Sequence, residues 1–306
     1  MNDAMNAAMN ASPDTLVHSA FYRYAAVPDP AAMADALRQL GVRLGAPQAF
    51  GGSVIVAAEG INAVVAGTRA AVEAYEAALS KDAAFAPLHG LVFKRSACHT
   101  LPFGRYKVAH KAELVAIDLP EVADVIDEHD DSHVAPADWD ALIARPDVVL
   151  LDNRNHFEFR LGRFRGAVDP AVDHFRDFAA HVLAHADTWR AAGQTVAMYC
   201  TGGIRCDRTA PWMRSLGLEV RQLQGGILGY LADRAERAER ADPTASTGKA
   251  DQHAWIGECY VFDRRIALDA TLAETGRKPA QVYDPSRPDE AWRLARAERL
   301  DGQMPT

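Results

Sequence analysis

Cysteine is scarce in this 306-residue chain, and long apolar runs and export signals are missing. The four cysteines are Cys98, Cys200, Cys206 and Cys259. No apolar run approaches the roughly 18 residues that span a membrane. The first 14 residues contain neither a basic residue nor an apolar core. We therefore predict a cytoplasmic protein with reduced thiols, no membrane partner and a disordered leader over residues 1–16.

Metal and nucleotide motifs are also missing from the chain. No cluster of His and Cys has the spacing of a zinc site, and no Gly-Lys-Ser/Thr phosphate loop occurs. The sequence therefore predicts no metal site, and no cofactor is evident. The length by itself suggests about two domains.

Acidic residues outnumber basic ones, with a net charge of −8, but the charges are segregated. From Asp118 to Asp140 there are nine acids and no Lys or Arg, whereas from Lys94 to Lys111 there is no acid. A local basic surface can bind phosphates in spite of an acidic total. The alternative is a solvated pair of strands beside an acidic linker. The candidate phosphate-binding residues of the basic stretch are Lys94, Arg95, Arg105, Lys107 and Lys111.

The first part of the chain alternates strand and helix patterns in the order β-α-β-β-α-β. Apolar and β-branched residues predict strands, and Asp29-Pro30 and Thr68 are typical helix starts. This order predicts a ferredoxin-like (acylphosphatase-like) α+β domain over residues 17–117. The predicted elements are strands at 18–27, 52–58, 61–66, 90–96 and 107–117 and helices at 30–44 and 68–79.

After an acidic connector at 118–134, strands and helices alternate again, which predicts an α/β domain with a mostly parallel sheet over residues 135–240. A C-terminal extension over 241–306 includes an apolar, strand-like segment at 255–268 and a helix at 289–300. In parallel sheets, ligands bind at the carboxyl ends of the strands. The predicted elements of the second domain are helices at 137–144, 175–189, 206–216 and 227–234 and strands at 148–151, 196–199 and 220–223.

Cys200 stands at such a position, directly after an apolar run and before a loop with two glycines. Backbone N–H groups of a loop wrapped in this way can converge on one point, and a helix start adds partial positive charge. Arg205 would favour a thiolate further, so Cys200 is a candidate nucleophile. The predicted active-site loop comprises Thr201, Gly202, Gly203, Ile204, Arg205 and Cys206.

Three interpretations of this loop compete. Cys200 could be a buried small hydrophobe, as free cysteine often is. A phosphatase loop has five residues between cysteine and arginine, but only four separate Cys200 from Arg205. The third interpretation is a rhodanese-type loop, whose thiolate holds a persulfide or attacks another electrophile.

Four segments together resemble a rhodanese domain: Asp152-Asn-Arg-Asn155, Gly162-Arg-Phe-Arg-Gly166, Cys200-Thr-Gly-Gly-Ile-Arg-Cys206 and Gln224-Gly-Gly226. The wider chain, from about residue 18 to 268, resembles the rhodanese-related tRNA uridine hydroxylase family. The segments that carry this second resemblance are Ala58-Glu-Gly-Ile-Asn62, Pro102-Phe, Arg105-Tyr-Lys107-Val and Gly257-Glu-Cys-Tyr-Val-Phe-Asp263. Many members have a cysteine-rich tail, whose cysteines are missing from Glu274–Pro279.

The resemblance implies oxygen-dependent conversion of uridine to 5-hydroxyuridine at the wobble position of tRNA, with Cys200 as the essential cysteine. It implies molecular oxygen as co-substrate, an electron donor that the sequence does not identify, and the anticodon loop of tRNA as partner. The five basic residues between Lys94 and Lys111 are then the candidates that bind the tRNA backbone. Asp152 and Arg154 are expected near the site, although Arg154 and Arg163 could instead form salt bridges with Asp152 or Glu158.

As a hypothesis, Cys200 adds to carbon 6 of an extruded uracil, which makes carbon 5 electron-rich. The N–H groups of Thr201 to Arg205 would then stabilise charge on the base carbonyl. Arg205 either holds the thiolate or the uracil edge or bonds within the loop, and Cys206 either packs or takes part in catalysis. Candidates for base stacking are Phe103, Tyr106 and Trp212, although aromatic residues of this kind are more often core residues.

Two rival functions remain at this stage. The rhodanese domain could transfer sulfur from a thiosulfate-type donor. Alternatively, the protein could bind RNA or carry sulfur as a persulfide for a partner without hydroxylating uridine.

Overall fold

The computed structural model describes residues 16–117, 130–240 and 254–301. Within them the chain forms two compact units that separate between Leu114 and Val115. The predicted leader, apart from Leu16, and residues 118–129 of the predicted connector lie outside the described residues.

The first unit is a five-stranded sheet with helices on one face. The strand order is β4-β1-β3-β2-β5, with every neighbouring pair antiparallel except β2 and β5. This arrangement confirms the predicted ferredoxin-like domain, with β5 as an added edge strand. Its elements are β1 (Leu16–Tyr24), α1 (Pro30–Arg43), β2 (Phe50–Ala57), β3 (Gly60–Gly67), α2 (Arg69–Lys81), a 3-10 helix (Ala83–Leu88), β4 (Lys94–Cys98) and β5 (Tyr106–His110).

Both helices of this unit begin where their capping residues predict. The Asp29 carboxylate accepts a hydrogen bond from the N–H of Ala32, and the Thr68 hydroxyl accepts one from Ala71. Leu37 of α1 and Val72 of α2 are fully buried against the sheet. Burial of these apolar stripes holds the helices on one face and leaves the other face of the sheet without them.

The last strand is shorter than predicted, because β5 ends at His110 rather than at residue 117. The N–H of Leu114 instead donates to the Glu59 carboxylate, 2.6 Å away. Val115 and Ile117 belong to the core of the second unit. The first unit therefore ends three residues before the predicted boundary.

The second unit contains a four-stranded parallel sheet in the order β6-β10-β9-β7, which confirms the predicted α/β fold. Successive residues of β9 point to opposite faces of the sheet and into different cores, with Met198 on one face and Tyr199 on the other. The elements are β6 (His133–Val134), α3 (Pro136–Ile143), β7 (Val148–Asp152), α4 (His156–Leu161), β8 (Gly162–Phe164), a 3-10 helix (Phe175–Asp177), α5 (Phe178–Ala191), β9 (Thr195–Tyr199), α6 (Ile204–Ser215), β10 (Glu219–Leu223) and α7 (Gly226–Arg240).

The described end of the predicted acidic connector contributes to this sheet. The Asp130 carboxylate accepts hydrogen bonds from Arg214, at 2.7 Å, and from Gln222, at 2.8 Å. β6 then pairs with β10. The Asp130 carboxylate therefore anchors an edge strand.

Within the predicted C-terminal extension, the described residues 254–301 pack into the second unit, whereas 241–253 and 302–306 lie outside the described residues. The extension contains β11 (Trp255–Gly257), β12 (Cys259–Tyr260), β13 (Ala267–Leu268), a 3-10 helix (Pro279–Gln281) and α8 (Pro288–Asp301). Three short strands thus replace the single strand-like segment expected at 255–268. β11 pairs antiparallel with β8, and Trp255 is buried in the core. None of the helices in the described part of the chain is both long and apolar enough to cross a bilayer.

Candidate active site

The cysteine loop connects a central strand of the parallel sheet to a helix. β9 ends at Tyr199, Cys200 follows at its carboxyl end, and α6 begins at Ile204. Gly203, the residue before α6, has a φ of +108°. Because side chains disfavour this backbone region, glycine allows the chain to turn from the strand into the helix within four residues.

Hydrogen-bond donors surround the sulfur of Cys200. The N–H of Gly203 donates to Sγ at 3.1 Å. Burial alone raises the pKa of this thiol, but four groups lower it to about 5: the Cys206 thiol, the Arg205 guanidinium and the backbone N–H groups of Cys206 and Arg205. The sulfur is therefore a thiolate at neutral pH.

The start of helix α7 fixes the carbonyl side of the same loop. The N–H of Ile227 donates to the carbonyl of Cys200 at 2.9 Å, and that of Leu228 donates to Thr201 at 3.1 Å. A Cβ on Gly226 would lie 2.5 Å from the Cys200 carbonyl oxygen. The two glycines after Gln224 thus permit close approach between α7 and the loop.

Arg205 bonds within the site rather than pointing outward. Its guanidinium donates to both carboxylate oxygens of Glu158, at 2.8 and 2.9 Å, and to the Thr201 hydroxyl at 3.2 Å. Glu158 has no exposed surface and also accepts the N–H of Asn155 in a capping box. The charge of Arg205 nevertheless lowers the pKa of Cys200.

Asp152 and Arg154 form a separate ion pair in the core. The guanidinium donates to the Asp152 carboxylate at 2.8 and 2.7 Å and to the carbonyl of Gly162 at 2.6 Å. Both side chains are fully buried, and the Tyr199 hydroxyl also donates to Asp152. Arg154 thus forms the salt bridge considered as the alternative for it. Arg163 lies over the ring of Phe159, 5.1 Å from its centroid.

Cys206 packs in the core and also bonds to the Cys200 sulfur. It lies in the first turn of α6 and is completely buried. Burial, together with the hydrogen bond to Cys200, raises its pKa well above that of an ordinary thiol. The Cys206 thiol therefore stays protonated, and its S–H donates a hydrogen bond to the Cys200 thiolate.

Cys200 itself has no exposed surface, so its sulfur is not accessible to an RNA base in this structure. The loop residues Thr201, Gly202 and Ile204 are half-buried, so the sulfur lies immediately beneath this loop. A base can contact the sulfur only after the loop, or a side chain beside it, shifts outward.

The five basic residues predicted to bind tRNA do not form one patch. Lys94 and Arg95 lie on β4 at one edge of the first unit's sheet, whereas Lys107 lies on β5 at the opposite edge, with three strands between them. Arg105 and Lys111, which flank β5, are exposed, as is Lys107. Arg95 differs from the others because its guanidinium binds the buried carboxylate of Glu76.

Two of the three aromatic candidates for base stacking are core residues. Tyr106 packs against the first core, and its hydroxyl bonds to Tyr75 and to the carbonyl of Leu37. Trp212 is buried in the second unit. Phe103 is half-buried and lies against Gly51.

Sequence reasoning missed the role of Glu158 as the partner of Arg205. The spacing of Asn155 and Glu158 is a capping-box signal that locates this carboxylate at a helix start. It also missed the contact between helix α7 and the cysteine loop, for which the glycine pair after Gln224 was the available signal.

Both units of the chain match known protein families. Residues 16–114 match a family described as UPF0176 acylphosphatase like domain, and residues 135–233 match the Rhodanese-like domain. Three relatives named tRNA uridine(34) hydroxylase align over most of the chain. The relative from Jannaschia sp. is 41% identical over 84% of this chain and 77% of its own. Those from Nitrobacter winogradskyi and Deinococcus radiodurans are 40% and 38% identical, over 89% and 86% of this chain and 98% and 79% of their own.

Proposed function

This chain belongs to the tRNA uridine(34) hydroxylase family, and we propose that it hydroxylates carbon 5 of uridine at the wobble position of tRNA. The observation that carries this proposal is identity of about 40% over both units, not over the rhodanese-like domain alone. A plain sulfurtransferase would not need the N-terminal unit.

We further propose molecular oxygen as the co-substrate and no resident cofactor. Replacing the hydrogen on carbon 5 with one atom of O₂, and reducing the other atom to water, consumes two electrons and two protons. An external donor supplies them. The protein's own contribution is then to bind the base and to activate its carbon 5.

Cys200 is the group that can activate carbon 5. Its thiolate adds to carbon 6, the C5=C6 electron pair moves toward the C4 carbonyl, and an enolate with an electron-rich carbon 5 results. The donors around the sulfur hold the thiolate before addition, since Gly203 and Cys206 contact Sγ rather than an approaching carbonyl. We therefore propose that these donors stabilise the thiolate, in place of the oxyanion role expected for the loop N–H groups.

The anticodon loop, which contains position 34, is the proposed RNA partner, and the first unit offers a surface for it. None of the residues in strands β1 to β5 is acidic. On the sheet face away from the helices, the Lys94 ammonium lies 5.6 Å from the centroid of the Tyr22 ring, and the Tyr24 ring is 6.4 Å from that of Tyr22. Lysines bind phosphates and tyrosine rings stack on unpaired bases, so this face suits single-stranded RNA.

The proposed function is tested in cells whose own wobble-uridine hydroxylase gene is deleted. We expect wild-type protein to restore 5-hydroxyuridine in hydrolysed tRNA, measured by mass spectrometry, and Cys200→Ala to restore none. Cys98→Ala is the matched control, because Cys98 is also buried but lies on β4 of the first unit.

Restoration by Cys200→Ala would contradict the proposed role of the thiolate. If the wild type restores no 5-hydroxyuridine but transfers sulfur from thiosulfate to cyanide, sulfur transfer is the function instead.

A further inference from the structure

Phe262 is an exposed aromatic side chain beside the cysteine loop. The residue is 58% exposed, and the centroid of its ring lies 5.9 Å from the guanidinium carbon of Arg205. Among the large apolar side chains of the described residues that are exposed, only Phe262 and Trp292 are aromatic. The C-terminal extension thus places an apolar ring in solvent next to the site.

A rigid turn holds this ring in place. Phe262 lies between β12 and β13, where the N–H of Val261 donates to the carbonyl of Ile266 at 2.9 Å. The next residue, Asp263, pairs with Arg265 through two hydrogen bonds of 2.9 and 2.6 Å, and both side chains are almost fully buried. These bonds hold the backbone on both sides of Phe262, and the Tyr260 ring lies edge-on to the Phe262 ring, with 4.9 Å between the centroids.

Arg205 links this ring to the reacting sulfur. Its side chain binds Glu158 and Thr201, and its backbone N–H and charge both stabilise the Cys200 thiolate. A guanidinium packs against an aromatic ring at this distance. Because the residue is more than half exposed, its ring can contact a planar ligand while it remains next to Arg205.

An enzyme that acts on a base must extract it from its stack and replace the lost stacking. We propose that Phe262 is a nucleobase-stacking subsite, on which the target pyrimidine lies when the thiolate attacks it. This inference rests on the proposed function. Phe262 provides the exposed aromatic surface that Tyr106 and Trp212 cannot provide, because those two rings pack in cores.

The test compares two anticodon stem-loop RNAs, one with uridine at position 34 and one with an abasic residue there. For each protein variant, fluorescence anisotropy yields the ratio of the two dissociation constants. Stacking on an aromatic side chain supports about a 5- to 100-fold effect. We expect Phe262→Ala to reduce the preference for uridine by that factor and Phe262→Tyr to retain it.

Trp292→Ala is the matched control, because Trp292 is 56% exposed and also lies over an arginine, Arg296. We expect this variant to retain the wild-type preference. The absorbance of the Cys200 thiolate at 240 nm, titrated with pH, should be the same in Phe262→Ala and wild type.

A preference for uridine that survives Phe262→Ala would overturn the inference. So would a loss of preference that comes with a shifted thiolate titration, since the ring would then act only through Arg205. Wild-type protein that restores 5-hydroxyuridine in cells but does not distinguish the two RNAs would overturn the inference alone. Protein that distinguishes them but restores no 5-hydroxyuridine would contradict the proposed function alone.

Discussion

At the scale of single residues, the chemistry depends on the sulfur of Cys200, whose neighbours counteract the effect of burial on its pKa. Taking a thiolate out of water is unfavourable, and burial alone would raise the pKa of Cys200. The donors from Gly203, Arg205 and Cys206 outweigh that effect. Glu158 holds the Arg205 side chain in place, so a buried carboxylate contributes to the thiolate indirectly.

We predict that the difference in absorbance at 240 nm between wild type and Cys200→Ala titrates near pH 5. Cys206→Ala should raise that midpoint, because it removes the thiol that donates to the sulfur. A midpoint above pH 8 in the wild type would contradict this account.

The same pKa shift predicts how stability depends on pH. The folded-state pKa lies below the value of about 8.5 for an unfolded thiol. The thiolate's contribution to the free energy of unfolding is therefore complete above pH 8.5 and disappears as the pH falls to about 5. Cys200→Ala should remove this dependence, which urea denaturation at several pH values measures.

At the scale of secondary-structure elements, the site is the meeting point of β9 with the starts of two helices. The loop after β9 leads into α6, while the first N–H groups of α7 bind the loop carbonyls. Unpaired N–H groups at a helix start suit this role. The loop is thus restrained from both sides.

Gly226→Ala should destabilise the protein and disturb the cysteine loop. The residue has a φ of +66°, and the new Cβ would lie 2.5 Å from the Cys200 carbonyl oxygen and 2.7 Å from that of Thr201. The backbone conformation alone accounts for about 1–2 kcal/mol of unfolding free energy. Urea denaturation measures the loss.

Gly202→Ala is the control within the same loop, since a Cβ there meets nothing within 4 Å. We expect its unfolding free energy to stay close to that of the wild type. Equal stability of Gly226→Ala and wild type would show that α7 does not restrain the loop.

At the scale of the whole molecule, an acidic chain contains a sheet without acidic residues. The net charge is −8, yet strands β1 to β5 have no Asp or Glu. The acids of the first unit's helices include Glu76, which Arg95 neutralises on the side of the sheet that carries those helices. The average charge therefore conceals a face that suits an anionic partner.

Replacing Lys94 or Lys107 with alanine should weaken tRNA binding and reduce the slope of log affinity against log salt by about one each, provided each lysine contacts one phosphate. Arg95→Ala should leave that slope unchanged, because its guanidinium is already engaged with Glu76. Filter binding over a range of salt concentrations measures both. Lys107 lies on the same face as Lys94, because its neighbours Tyr106 and Val108 pack in the core on the helix side. An unchanged slope for both lysine variants would remove this face as the tRNA surface.

Much of the fold could be predicted from local patterns. Helix starts at Asp29 and Thr68, strand periodicity and the loop after Tyr199 depend on neighbouring residues, which a sequence displays directly. The end of β5 could not be predicted. The apolar residues after His110 have the pattern of a strand, and only the structure shows that Ile117 packs in the core of the second unit.

The sequence by itself determined the two fold classes, the family and the glycine-containing loop that follows a strand and presents Cys200. Only the tertiary structure decided that Arg205 binds Glu158, that Lys94 and Lys107 lie at opposite sheet edges, and that Phe262 rather than Trp212 is exposed. The physical reason is that hydrogen bonds, strand order and burial join residues that are distant in sequence, whereas propensity and spacing report only on neighbours.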